Sequence, residues 1–220
     1  MVNKLKEVYS NKVRAHISYR NSQGTYVPGV TTVLGILDKP WLIAWANKLG
    51  LEGIDSTKYR NEKGSIGSLA HYMIMSHLKG ETPDVSEYSE LEKKYAKISL
   101  KSFWLWKREH SLAPILIEEG LVSDTYNYGG TIDLYCLLDG QYTLIDFKTG
   151  KSIYPEMFYQ LAAYKELLLE HKYPFQQARL LRIGREGGFE DKRTVDLSRE
   201  FEIFKHCLAI YNIRKLLQRF

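Results

Sequence analysis

Two regimes of hydrophobic patterning divide this chain. Apolar residues up to about position 112 fall mostly at the spacing of helices, and those from about 113 to 183 fall in short runs of strand-like composition. Residues 13–20 and 25–28 read as short strands around a turn at Asn21–Gly24. Asp38-Lys39-Pro40 predicts a helix start, with Asp38 as cap and Pro40 where a missing N–H costs little. Gly50 is the expected stop, and Trp41 and Trp45 share one face. A second helix is predicted over about 65–79, stopped by Gly80. A third runs over about 86–110, rich in Lys and aromatic residues, with Pro114 ending the helical region.

Strands are then predicted over Ile115–Val122, Thr131–Leu138 and Gln141–Lys148, the last two joined by the hairpin dipeptide Asp139-Gly140. A helix follows over 155–171 and a strand over 178–183. A loop at Gly184–Gly188 comes next, then an amphipathic helix from Ser198 with Phe201, Phe204, Leu208 and Tyr211 on its apolar side. The predicted class is α+β, an α/β/α arrangement with a mixed central sheet flanked by helices.

Composition narrows this picture. A length of 220 residues suits one domain, and 44% apolar residues suffice for a substantial core. The expected divisions are 1–112 (strands and helices), 113–183 (core) and 184–220 (loop and last helix). No apolar run approaches the ~20 residues of a membrane span, and the polar start lacks the apolar stretch of a signal peptide. The two cysteines, Cys136 and Cys207, are far apart, which excludes a disulfide scaffold and a four-cysteine zinc or iron–sulfur site. A reducing, cytoplasm-like compartment fits this usage. The net charge of +5 is a weak pointer to a polyanionic partner and alone decides nothing, and most of the 16 Tyr and 4 Trp are expected to serve core and interface packing.

The hairpin carries the sharpest inference. If Asp139-Gly140 is a two-residue turn, Leu138 pairs with Gln141, and counting back along both strands sets Asp133 across from Asp146. Their Cβ atoms would stand about 4.5–5.5 Å apart on one face. Two carboxylates that close repel, and the apolar neighbours Ile132, Leu134, Leu144 and Ile145 make them costly to bury without a cation. Oxygen ligands so spaced suit Mg²⁺ or Mn²⁺. Lys148 projects from the same face as Asp146 and could orient a water or neutralise developing charge. Glu118, or Glu119 if the strand phase differs by one, could add a third carboxylate. On these residues alone a solvent-facing acidic pair salt-bridged to Lys148 is equally open.

Three segments in order, Gly130-Thr-Ile-Asp133, Ile145-Asp146-Phe147-Lys148-Thr149-Gly150 and Gln160-Leu-Ala-Ala-Tyr164, resemble the RecB-like branch of the PD-(D/E)XK nuclease superfamily. Gly67-Ser-Leu-Ala-His71 is similar to the upstream histidine motif of that branch. Pro28-Gly-Val-Thr-Thr-Val-Leu34 is similar to a segment of mitochondrial and phage RecB-like exonucleases, with Gly29 in place of the usual Ser. The resemblance covers about 28–164.

It implies a restriction-endonuclease-like core with an N-terminal helical elaboration that walls in DNA. It further implies that His71, Glu118, Asp133, Asp146 and the Phe147 carbonyl hold Mg²⁺ or Mn²⁺. Lys148 would be the catalytic lysine that positions the attacking water, and Gln160 and Tyr164 would sit beside the metal centre, contacting DNA phosphate or supporting the lysine. The implied activity is metal-dependent hydrolysis of DNA by a single-strand exonuclease in recombination, repair or end-processing, in a bacterial or phage-infected cell. A structure-specific endonuclease for flaps or branches shares these motifs. A nucleic-acid-binding subunit without catalysis is the third reading. His77, His110 and His171 are expected to be structural, and Trp41, Trp45, Trp104 and Trp106 core, with one or two of them open to stacking unpaired bases. Lys93, Lys94, Lys97 and Lys101 are expected to form a solvated helix face, with a track for the DNA backbone as the alternative.

Overall fold

A computed structural model describes residues 17–217, so part of the strand expected over 13–20 lies outside the described residues. A two-stranded ribbon, β1 (Tyr19–Arg20) and β2 (Tyr26–Val27), leads into four helices: α1 (Val30–Leu34), α2 (Pro40–Leu51), α3 (Ser56–Leu78) and α4 (Glu90–Lys107). The strands β3 (Leu112–Ser123), β4 (Tyr128–Leu138) and β5 (Gln141–Lys148) follow, then α5 (Pro155–Glu170), β6 (Gln177–Ile183), β7 (Phe189–Thr194) and α6 (Ser198–Leu217). The main sheet has the order β3-β4-β5-β6-β7, parallel only between β5 and β6, where α5 makes the crossover. It is the mixed sheet between helical layers that the patterning predicts.

One core lies between the sheet and α1, α5 and α6, built from Tyr128, Ile132, Leu144, Leu161, Leu180 and Phe204. The other lies between the opposite face and α3 and α4, built from Leu69, Ile74, Phe103, Leu134, Ile145, Phe147 and Leu181. Each face of β5 and β6 is therefore covered, as the apolar runs there require. No helix among the described residues is long and apolar enough to cross a membrane.

Several boundaries differ from the predicted ones. Lys39, not Asp38, precedes the first turn of α2. Gly50 lies inside that helix, which ends at Leu51 and is followed by the capping Glu52 and the left-handed Gly53. Helix α3 begins at Ser56 rather than near 65, because Asp55 accepts hydrogen bonds from the Thr57 and Lys58 N–H groups (2.8 and 3.0 Å). The Ser89–Glu92 capping box starts α4. Pro114 sits inside β3, which is an edge strand with a register shift between Pro114 and Leu116, where a proline is tolerated. Strand β7 was not expected from its polar sequence. It is held by its ladder to β6 and by the Arg179–Asp191 and Arg182–Glu190 ion pairs. The segment expected as a loop at Gly184–Gly188 is a hydrogen-bonded turn, with Gly184 N donating to Gly188 O (3.0 Å) and Gly187 N to Gly184 O (3.0 Å).

Trp106 is core, as expected, and its indole N–H reaches Asp191 (3.0 Å). Trp41 and Trp104 are not core; both stand exposed.

Candidate functional site

Asp139 (φ 50°) and Gly140 (φ 79°) form the left-handed pair that a two-residue hairpin turn needs. The β4–β5 ladder then runs in the predicted register from Leu138↔Gln141 to Leu134↔Ile145 and stops. Asp133 and Asp146 occupy the next position, but the strands part there. In place of a ladder bond the Phe147 N–H donates to Asp133 Oδ2 (3.0 Å). The pairing expected at this position is thus replaced by a side-chain contact across the opening.

The neighbouring strand contributes to the same irregularity. Ile117 pairs with Leu134 and Glu119 with Ile132, so Glu118 falls opposite Asp133. Its backbone is left-handed (φ 54°), a conformation that costs a non-glycine residue about 1–3 kcal/mol and persists only where the surroundings hold it. The pleat changes phase there: Ile132 packs in one core and Leu134, two residues on, in the other. Glu118, Asp133 and Asp146 therefore form a row across three strands at the break, and Glu119 is exposed. The register, which the sequence leaves uncertain, aligns Glu118 rather than Glu119 with the aspartates.

Both helical layers reach this break. From α3, His71 Nδ1 lies 3.5 Å from Asp133 Oδ2, with its ring edge-on to Phe147. From β5, Lys148 Nζ lies 2.6 Å from Asp146 Oδ2. From α5, Gln160 Oε1 accepts from Lys148 Nζ (2.9 Å), and Gln160 Nε2 donates to the Tyr164 hydroxyl (2.8 Å). An ammonium can only donate, so it sets which way the Gln160 amide faces.

Asp133 is 4% exposed and Asp146 1%. Burial pushes the Asp146 carboxyl above the usual carboxylate range and the nearby Asp133 adds to this, while Lys148 and His71 oppose it. Burial, reinforced by both aspartates, likewise raises the Tyr164 phenol, which stays protonated at neutral pH.

The glycine of Gly130-Thr-Ile-Asp133 has a steric reason. A Cβ there would stand 2.5 Å from Tyr164 Cε1 and 3.1 Å from Val30 Cγ2. Gly130→Ala is therefore expected to push Tyr164 off Gln160 and to destabilise the fold by about 1–3 kcal/mol. Urea unfolding would measure this; a variant as stable as wild type would show that the α5 contact gives way freely.

The donor types at this break, buried carboxylates beside an imidazole, fit a hard divalent cation in kind. Among the described residues, no three His, Cys, Asp or Glu groups converge into a ready cage. Asp133 Oδ2 is engaged by Phe147 N–H and faces His71, and Asp146 Oδ2 faces Lys148.

Two clefts flank the break. One, of ≈ 370 Å³, is lined by Arg60, Lys63, Ser68, His71, Thr149 and Arg185. The other, of ≈ 360 Å³, is lined by Lys39, Trp41, Lys148, Tyr154, Glu156 and Gln160 among others. In the second, Trp41 stacks on Tyr154 with ring centres 5.3 Å apart and planes within 9°. Sequence reasoning passed over Arg60, Lys63 and Arg185. The available signal was the spacing of Arg60, Gly64, Gly67 and His71, which puts them on one stripe of a helix.

No known protein family matches the chain, and no curated protein matches it. Among solved structures the chain is similar to SSO0001, at 15% identity and a TM-score of 0.45, over 96% of this chain and 87% of that one. It is also similar to LHK-Exo in complex with dAMP, at 14% identity and a TM-score of 0.36, over 70% of this chain and 85% of that one. Neither likeness is close enough to assign a role to a residue.

Proposed function

We propose that this protein hydrolyses phosphodiester bonds in DNA, with Mg²⁺ or Mn²⁺, as an exonuclease acting on single-stranded ends. The observation that carries the reading is the meeting of buried Asp133 and Asp146 with Lys148, itself held by Gln160, at the point where β4 and β5 part. A carboxylate pair this deeply buried is costly for folding, which is the mark of residues kept for chemistry. His71, Glu118, Asp133, Asp146 and the Phe147 carbonyl would hold the cation. When bound, the ion supplies electrostatic stabilisation for charge gathering on the phosphate.

The chain's own residues do the rest. Lys148, fixed between Asp146 and the Gln160 amide, orients the attacking water and offers positive charge to the phosphate oxygens. Gln160 holds that ammonium, and Tyr164 in turn holds the Gln160 amide. The basic and aromatic clefts on either side suit a strand whose phosphates and bases alternate along it.

The test uses linear oligonucleotides labelled at either end, a circular single strand, and EDTA controls. Metal-dependent loss of the linear strands, with the circle intact, is the expected result. Cutting of the circle would replace the exonuclease by an endonuclease. Strand binding without cleavage under either metal would overturn the enzymatic reading.

A further inference from the structure

The basic cleft contains a cation with no assigned partner and no assigned task. Arg185 sits in the turn between β6 and β7, and its backbone is fixed: its N–H donates to Thr149 O (3.3 Å), one residue past Lys148. The turn admits little else, since a Cβ on Gly184 would stand 2.1 Å from Gly187 O. Among the described residues the guanidinium makes one long contact, from Nη1 to Thr149 O (3.4 Å), and its buried Nε–H meets no acceptor. Among the described residues no carboxylate is ion-paired with it. Glu186 turns instead to Lys63 (2.7 Å) and Lys151 (3.6 Å). Burial lowers the Arg185 pKa, with the nearby Glu186 only opposing that effect. A half-buried guanidinium that lacks an anion of its own is expensive unless something else supplies the anion.

Helix α3 supplies the opposite wall, and its sequence is shaped to the same end. Arg60, Gly64, Gly67 and His71 lie along one stripe facing the cleft. Two glycines inside a helix each weaken it relative to alanine. Gly67 has a packing reason, because a Cβ there would stand 2.9 Å from Thr149 Oγ1. Gly64 has none among the described residues: a Cβ there would meet nothing within 4 Å. What Gly64 does is leave the cleft open between His71 and Arg60.

We propose that Arg185, Arg60 and the open stripe at Gly64 form a phosphate-binding subsite beside the cleavage centre, which takes a backbone phosphate of the bound strand on the His71 side. The planar fork of Arg185 is suited to two oxygens of one phosphate, and Ser68 and Thr149 add hydroxyl groups at the same wall. This rests on the nuclease reading, and names where that activity grips its substrate.

Binding of a fluorescent single strand in EDTA, followed by anisotropy over a potassium chloride series, separates the two. Arg185→Gln is expected to weaken binding about tenfold and to flatten the slope of log affinity against log salt by about 0.7, one phosphate contact's worth for a single strand. Arg185→Lys should keep the slope and recover part of the affinity. Gly64→Gln, a better helix former filling the groove, should melt at or above the wild-type temperature and still bind about tenfold more weakly. Strands with 5′-phosphate, 3′-phosphate or neither identify the source: equal losses mean an internal diester, and a loss confined to one end means a terminal phosphate. An Arg185→Gln protein with wild-type affinity and slope overturns the subsite and leaves the nuclease reading standing. A wild-type protein that binds no strand overturns both.

Discussion

Lys148→Ala should abolish strand cleavage, with a loss of about 10²–10⁴-fold or more, while binding in EDTA falls far less. The expectation follows from how the ammonium is held. It is the only cation within ion-pair distance of Asp146 among the described residues, and the Gln160 amide fixes its direction. Gln160→Leu should cost much less, about tenfold, because it removes the support and leaves the charge. Equal losses for the two variants would show that the relay from Tyr164, not the lysine charge, limits the reaction. Single-turnover cleavage of a labelled strand distinguishes these cases. The lysine variant also strands a buried carboxylate, a change that costs about 3–5 kcal/mol if the charge persists. Asp146 can take up a proton instead, so the stability deficit of Lys148→Ala should widen as pH rises. Undiminished cleavage by Lys148→Ala would sink the proposed mechanism.

Asp146→Asn should do the reverse to stability: the variant loses cleavage and, in metal-free buffer, unfolds at a higher temperature than wild type. Asp146 has its folded pKa above the unfolded value of 3.8, chiefly through burial. Over the interval from 3.8 up to the folded pKa, the native state keeps a proton that the unfolded chain has released. Stability therefore falls as pH rises through that interval, and the full deficit persists above it. Asparagine has no proton to lose and escapes the deficit, so the variant's melting temperature rises above that of wild type. Lys148 is not stranded by the change, since it keeps its bond to Gln160 and is 19% exposed. Thermal unfolding in EDTA at several pH values gives the answer. A lower melting temperature at neutral pH would mean that the Lys148–Asp146 attraction outweighs the burial of the carboxylate.

These two outcomes bear on how much of the site was legible in the chain. The shared helix face of Gln160 and Tyr164 was legible, from their spacing of four. Their place near Lys148 was implied only by the family resemblance, which left contact with DNA phosphate as the alternative to supporting the lysine. The hairpin register was legible too, because Asp139-Gly140 admits few turn types and each residue of β4 and β5 then has a determined partner. The apolar flanks of Asp133 and Asp146 signalled their burial. These features depend on neighbours close in sequence, where spacing alone dictates geometry.

What the sequence by itself determined is therefore most of the order of elements, the register of one hairpin and the helix face that Gln160 and Tyr164 share. Only the tertiary structure decided where β4 leaves β5, which glutamate lines up with Asp133, and that Trp41 is exposed on Tyr154 while Trp106 is core. It alone brought Arg185 to the end of β5 and paired a polar β7 with β6. Each of these rests on contacts between segments far apart in the chain. A left-handed Glu118 is held by neighbours on other strands, and a helical stripe becomes a cleft only when a distant turn closes its far side. Local periodicity carries no record of such partners, because their free energies exist only once the layers have packed.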